Sequence, residues 1–540
     1  MDAPSTPFDP KSSASLKLAQ ALRQLDVPFF VAGPRHAPHV VRTVGLAEVE
    51  VCRERVGSYP DAYVPALSAG MLGDPDFRRE FGLKFAYLGG AMANGIASAK
   101  MVIALGQAGM MAEFGAAGLD LARIESEIVA INDVLGSRQS WACNLIHSPQ
   151  EPELERATVD LFLRHGVRCA SASAFMGLSP EIVRYRLAGI AQRPDGSVYA
   201  PNRLIAKVSR LEVARKFMSP APADMLAQLT KSGAITPVQA KLAERIPVAQ
   251  ALTIEADSGG HTDNRPMLAQ FPAMVVLRDA LVREHAYEQA IHLGAAGGLG
   301  TPQAVHGAFS LGAAFVVTGS INQACVESGT SDLVRELLVK ADPADVAMAP
   351  AGDMFELGVK VQVLKRGTMF AMRGQKLYEI YRSRAALEEI SPSERSFLEG
   401  QIFRQTLEQA WLSTAEYWQN RDPATLHRAA SDAKHKMALL FRSYLGQSSR
   451  WANGGLAERQ ADFQIWCGPA MGAFNEWVRG SVLEPRSSRS VVPVARALLR
   501  GAATLARAGM VRAQGYAISP NELGLEPSAI DFEATKEELS

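Results

Sequence analysis

Between about residues 85 and 318 the chain alternates short apolar runs with segments of helical period, and it does so eight times. Short apolar runs of strand length that alternate with helices of ten or more residues are the pattern of βαβ units around a parallel sheet. The candidate strands are 85–88, 110–112, 141–145, 169–172, 204–208, 252–256, 290–296 and 315–318. Helical segments stand between them at 96–105, 121–135, from Pro180 onward, 275–283 and 302–311. Eight such units predict a closed (β/α)₈ TIM barrel, an α/β fold whose chemistry lies on the loops that follow the strands.

The remaining chain divides around that barrel. Residues 1–80 mix Pro, short apolar runs and charge without regular alternation and read as an N-terminal cap. Residues 81–332 form the barrel, with a hairpin-like stretch at 193–196 and a helical insertion at about 219–245 punctuated by Pro220, Pro222, Gly233 and Pro237. Beyond Asp332 the strand signal disappears, and 377–387, 394–415, 423–444 and 491–508 look helical. The expectation for 333–540 is therefore an additional helical domain over the barrel mouth, serving substrate or partner.

Composition excludes several classes. The 540 residues are 47% hydrophobic and 21% charged, as in ordinary globular chains. Lys+Arg and Asp+Glu both number 56, so no net field draws in nucleic acid or an anionic membrane. The five cysteines (Cys52, Cys143, Cys169, Cys325, Cys467) are widely spaced without a C-x-x-C pair, which argues against a zinc site or a disulfide framework and fits a reducing cytoplasm. The opening residues carry no signal-peptide pattern, and no apolar run reaches the ~20 residues that span a bilayer.

Small residues gather behind several strands: Gly89 to Asn94, Ser258-Gly259-Gly260-His261, Ala295 to Gly300, and Thr318-Gly319-Ser320. The last two follow the seventh and eighth strands, where barrels hold a phosphate between loop amides and a helix N-terminus, so Gly297, Gly298, Gly319 and Ser320 are the candidate donors. The plainer alternative is that these glycines only make tight turns. His261 stands in a dense polar cluster after the sixth strand, where an imidazole can donate or accept a proton near neutral pH. Other features read as structural. Glu151, Glu153 and Glu155 open a helix, Met101, Met110 and Met111 pack the barrel, and Cys143 and Cys169 are buried apolar groups. The aromatic cluster Trp451, Phe463, Trp466, Phe474 and Trp477 packs the helical region onto the barrel.

The segment Glu255-Ala256-Asp257-Ser258-Gly259-Gly260-His261-Thr262-Asp263-Asn264-Arg265-Pro266, with Gly89-Gly90-Ala91-Met92-Ala93-Asn94-Gly95-Ile96, resembles the PfaD-type trans-acting enoyl reductases of polyunsaturated fatty acid and trans-acyltransferase polyketide synthases. The likeness runs through 294–302, 369–378 and 464–477 and covers about residues 40 to 515. That family is related to nitronate monooxygenases and FMN-dependent enoyl reductases. The resemblance implies FMN, with Ala91, Met92 and Ala93 beside its ring system and Asn144 and Lys207 lining the flavin site. It also implies Gly297, Gly298, Gly319 and Ser320 at its phosphate, and His261 over it on the Gly259-Gly260 turn. The Asp257-Ser258 insertion and the Thr262 to Pro266 continuation favour the enoyl reductase branch and leave the role of His261 open. NADPH is implied as reductant, with NADH as the alternative, an enoyl thioester as substrate and an acyl carrier protein as partner. A homo-oligomer is compatible with the fold. The competing functions are a nitronate monooxygenase and a non-catalytic scaffold subunit of a synthase.

Overall fold

The computed structural model describes residues 13–36, 38–41, 62–136, 140–149, 151–519 and 523–533. The first twelve residues and Cys52, on which part of the compartment reading rests, lie outside the described residues. In chain order the strands are β1 (Phe29–Ala32), β2 (His39–Val41), β3 (Ala62–Val64), β4 (Tyr87–Gly89), β5 (Met111–Phe114), β6 (Ala142–Ile146), β7 (Cys169–Ser173), β8 (Ala191–Gln192), β9 (Val198–Tyr199), β10 (Arg203–Val208), β11 (Ala251–Glu255), β12 (Gly260–His261), β13 (His292–Ala296), β14 (Phe315–Thr318), β15 (Val346–Pro350) and β16 (Lys360–Leu364). Eight of them close into a barrel in the order β10-β11-β13-β14-β4-β5-β6-β7, every pair parallel. Each expected run overlaps one barrel strand, and the boundaries differ by at most two residues. The hairpin β8–β9 and the inserted helices Ala223–Lys231 and Pro237–Ala243 are also where the punctuation puts them.

Local chemistry starts the barrel helices. Ser98, Asp120, Ser179 and Thr301 each accept a hydrogen bond from a first-turn amide, and Pro180 and Pro302 occupy the first helical position, where a missing N–H costs nothing.

The end of the barrel away from the strand C-termini is plugged. Helix Pro75–Phe81 sends Phe77 into it, stacked on Phe315 with ring centroids 4.3 Å apart. Leu88, Met111, Ala142, Cys169, Ile205 and Ala251 pack around Phe77 and Phe81. His292, at the start of β13, is clamped between Asp74 Oδ2 at 3.2 Å and Glu80 Oε2 at 3.0 Å, which ties the plug to the sheet. Burial pushes the Glu80 carboxyl up, but the hydrogen bond and charge of His292, with the Gln250 hydrogen bond and the Arg203 charge, together hold it below its usual value.

Two expectations for the later chain need correction. The strand signal does not end at Asp332: β15 and β16 form an antiparallel sheet with β12. The two strands pair with each other, and β16 alone pairs with β12, a hundred residues earlier, so the central strand of the sheet draws one of its edges from a distant segment. Nor does all of 333–540 lie over the mouth. Helix Val491–Ala513 lies in the outer layer of the barrel against helix Pro302–Ser310, so close that a Cβ on Gly501 would stand 2.6 Å from Pro302. Its far end shares a core with the N-terminal β2-β1-β3 sheet, where Ala508 and Val511 meet Phe29, Val31 and Val64.

The helical part proper comprises Phe370–Ser383, Pro392–Phe397, Leu407–Arg421, Pro423–Ser431 and Ala433–Gly454. The expected continuous helix over 394–415 is broken by a π-helical turn, Leu398–Phe403, that ends at Arg404 in the left-handed region. Asp432 caps Ala433–Gly454 and splits the expected 423–444 helix. Among the described residues no helix is long and apolar enough to cross a membrane.

Two outcomes test the plug. Phe77→Ala is expected to lower stability by about 3–5 kcal/mol through the cavity it opens, read as a lower denaturant midpoint. Because the folded-state pKa of Glu80 is depressed, its contribution is present above the unfolded value of about 4.3 and fades as pH falls through the folded value. Glu80→Gln should therefore flatten the acid limb of a stability profile, and an unchanged limb would contradict the clamp.

Candidate active site at the barrel mouth

Side chains on a strand repeat every two residues, so the barrel interior is layered. Two positions beyond Met111, Ala142, Cys169, Ile205 and Ala251 of the apolar floor come Glu113, Asn144, Ser171, Lys207 and Thr253. A polar layer thus stands directly above the plug, and Glu255 lies one step nearer the mouth. Lys207 Nζ crosses the interior to Glu113 Oε2 at 2.7 Å, with the two side chains 7% and 0% exposed. The same oxygen accepts the Ala91 amide at 2.7 Å. Burial disfavours the Lys207 charge, but Glu113, Glu255 and the hydrogen bond together hold its pKa above the usual value. Burial raises the Glu255 carboxyl, and repulsion from Glu113 adds to it against the pull of Lys207 and His261. Glu113 Oε1, Ser171 Oγ and Thr253 Oγ1 are buried without a protein partner. Such orphaned groups mark places where a ligand or water completes the hydrogen bonding.

Ala91, Met92 and Ala93 follow β4 and are half-buried. Their loop is pressed onto the barrel rim: a Cβ on Gly115 would fall 1.8 Å from Met92 O, so only glycine permits this approach. Asn94 Nδ2 then reaches Ser449 Oγ on helix Ala433–Gly454 at 2.8 Å. Asn144 shares the layer of Lys207, but its amide nitrogen is engaged by Ser171 O at 3.0 Å and Ser173 Oγ at 2.8 Å, between β6 and β7.

Gly297 and Gly298 follow β13, and Gly319 and Ser320 follow β14, on adjacent strands. Gly297 and Gly298 have φ of +93° and +74°, so both need the freedom of glycine. A Cβ on Gly298 or Gly319 would meet nothing within 4 Å, which leaves open space beside both. Among the described residues, none of the hydrogen bonds is donated by the Gly298, Gly319 or Ser320 amides. Ser320 Oγ accepts the Gly468 amide at 3.0 Å.

His261 is placed on β12, whose partner is β16: Gly260 faces Gln362 and His261 faces Val361. The turn before it fits because two glycines meet back to back. A Cβ on Gly259 would lie 2.9 Å from the Cys467 and Gly468 backbone, and one on Gly468 would lie 2.8 Å from Gly259 N. His261 Nε2 stands 3.1 Å from Asp353 Oδ1, with side chains 39% and 48% exposed. Burial opposes a charge on His261, but the hydrogen bond and charge of Asp353, joined by Glu255, hold its pKa above the usual value. Burial likewise raises Asp353, and His261 with Arg442 brings it below its usual value. An ionised Asp353 can only accept, so Nε2 carries a hydrogen and Nδ1 is the free nitrogen.

The structure thus joins Ala91 to Lys207 through Glu113, keeps Asn144 in the same layer but bonded elsewhere, and puts His261 on the rim. Sequence reasoning missed Glu113, Asp353 and Gly468. Glu113 carried a signal, an acid inside the buried run Met110 to Phe114, which is costly without a partner. The acids read as a helix opening do more than that. Glu155 accepts from His147 Nδ1 at 3.1 Å, the Ser148 amide and Ser179, while Glu151 takes a two-pronged bond from Arg421 of the helical region at 2.7 and 3.0 Å. Cys143 and Cys169 are fully buried, and burial pushes the Cys169 thiol up to about 12, in keeping with packing groups.

Comparison with known proteins adds three findings. Residues 384–463 match the family model described as [Acyl-carrier-protein] S-malonyltransferase, inserted helical domain. The chain is 47% identical over 464 residues to one of the polyunsaturated fatty acid synthase subunits of a Thraustochytrium species, covering 85% of this chain and 31% of that one. It is 44% identical over 439 residues to the polyketide biosynthesis protein PksE of Bacillus subtilis, covering 81% and 57%. The chain therefore spans about a third and just over half of these curated relatives. Among solved structures, the enoyl reductase domain of MlnA, from the macrolactin biosynthesis cluster of Bacillus amyloliquefaciens, superimposes with a TM-score of 0.79 at 39% identity, covering 82% of this chain and 99% of that one.

The buried pair predicts an asymmetric cost. Lys207→Met strands the Glu113 charge and should destabilise by about 3–5 kcal/mol, whereas Lys207→Met with Glu113→Gln recovers part of that loss. Additive losses in thermal unfolding of the two single variants would show that the pair is not coupled.

Proposed function

The chain belongs to the PfaD-type trans-acting enoyl reductase family of polyunsaturated fatty acid and trans-acyltransferase polyketide synthases, and from that premise we propose that it reduces the α,β-double bond of enoyl thioesters carried on an acyl carrier protein. The observation that carries this reading is the 39% identity to a solved enoyl reductase domain over 99% of its length. The likeness of 384–463 to a helical insert of an enzyme acting on acyl carrier protein supports the carrier as partner.

The residues at the mouth fit a flavin mononucleotide. Gly298, Gly319 and Ser320 offer backbone amides for a phosphate, with open space beside Gly298 and Gly319, and Gly297 makes the turn that presents them. Ala91, Met92, Ala93, Asn144 and Lys207 border the ring site, and the orphaned Glu113 Oε1, Ser171 Oγ and Thr253 Oγ1 are polar atoms that a ring with several hydrogen-bonding edges would engage. Gly259 and Gly260 keep the His261 turn thin enough to approach it. When bound, the flavin would pass the two electrons of NADPH, or of NADH, to the substrate as a hydride.

The chain's own part is charge and proton handling. Hydride addition at the β-carbon leaves negative charge on the thioester oxygen, which fixed amide and side-chain donors stabilise. His261 then gives a proton, held at Nδ1, to the α-carbon, completing the addition of one hydride and one proton across the double bond.

Purified protein is expected to be yellow, to bleach anaerobically with NADPH and to recover its colour with a crotonyl-type thioester. A colourless protein unable to take up flavin would end this reading. His261→Ala should slow turnover by about 10²–10⁴-fold, the range of a positioned general acid, without losing flavin; unchanged turnover removes His261 from the chemistry.

A further inference from the structure

We propose that the chain beyond the barrel supplies a positioning residue for this site: Asp353 orients His261 and keeps its proton available, and Arg442 holds Asp353 in place from the helical region. The inference rests on the reading of His261 as proton donor.

Barrel and helical region meet at the small sheet. His261 pairs through its backbone with Val361 of β16, and Asp353 lies on the segment that joins β15 to β16. That segment is anchored at several points. The Ala351 amide bonds Val359 O at 2.9 Å, Arg442 Nε bonds Gly352 O at 2.9 Å, and Arg442 Nη1 reaches Glu356 Oε1 at 3.1 Å. Arg442 belongs to helix Ala433–Gly454, and its guanidinium lies 5.9 Å from the centre of the Trp418 ring on helix Leu407–Arg421. A continuous set of contacts therefore runs from two helices above the mouth to the imidazole.

The charged groups around the pair come from four elements. Asp353 and Glu255 face His261, Arg442 faces Asp353, and Glu255 faces Lys207 and Glu113 across the barrel. With Asp353 seated, the Nε2 hydrogen is held and Nδ1 is turned away from it. Without Asp353, burial acts on the imidazole opposed only by Glu255, and the proton leaves at lower pH. Whatever shifts the helices shifts this balance, so events on the helical surface reach the proton donor without touching the barrel.

The test uses the whole protein and follows the His261 imidazole by NMR titration, alongside the pH profile of enoyl thioester reduction. Asp353→Asn is near-isosteric and should lower the His261 midpoint, move the basic limb of kcat the same way and cut kcat about tenfold, part of what a positioned acid contributes, with KM little changed. Asp353→Glu should restore much of the loss. Arg442→Lys, which keeps charge but loses the two-armed grip, should shift the midpoint in the same direction and less. An unmoved midpoint in a folded Asp353→Asn protein, with His261→Ala still slow, overturns the inference and leaves the reading of His261 intact. If His261→Ala turns over normally, the reading itself fails.

Discussion

A lysine and a glutamate buried inside a closed sheet must find one another, because each alone would cost several kcal/mol in that environment. Lys207 and Glu113 do so across the barrel, and the Ala91 amide joins them on the same oxygen. The pair can form only when β5 and β10 sit at matching heights, so it favours one register among those a layered barrel allows. Below it the stacked Phe77 and Phe315 fill the space. The polar layer thus stands on the apolar floor and forms the base of the candidate site.

Around that floor the rim is built from close backbone approaches. Gly115 lets the Met92 loop lie on the barrel, and Gly259 with Gly468 lets the His261 turn lie against the Trp466 to Gly472 segment. These contacts leave no room for a Cβ, so the rim is rigid where the parts touch and open beside Gly298 and Gly319. Rigid support around an open cradle is what a site needs if its groups are to be aimed before substrate arrives. The Arg421–Glu151, Asn94–Ser449 and Arg442–Gly352 bonds fasten the helical region over the same opening.

Much of the barrel is legible in advance, because each strand is a short buried run and several helices carry their own caps, at Ser98, Asp120, Ser179 and Thr301. The candidate ligand loops are equally legible, since Gly297, Gly298, Gly319 and Ser320 sit at fixed offsets from those strands. The limits are as instructive. Glu113 escapes because the apolar run read from the sequence stops at Ala112, whereas the buried strand runs on through Glu113 to Phe114, and the partner that makes its burial tolerable, Lys207, reaches it only across the closed barrel. Glu151 and Glu155 read as a helix opening because their partners, Arg421 and His147, reach them only through folding. Strands β15 and β16 are invisible because strands of five residues draw their stability from their neighbours, and β16, which lies between β15 and β12, takes one of those neighbours from a hundred residues earlier.

The amino-acid sequence alone determined the eight-fold alternation, the ends of the strands and the residue types that face the mouth, because these depend on period, capping and turn chemistry within a few residues of one another. Tertiary structure decided which of those residues act together: Lys207 with Glu113, His261 with Asp353, Gly259 with Gly468. Each of these pairs unites residues some ninety to two hundred positions apart, and only the closing of the barrel and the seating of the helical region bring them within bonding distance.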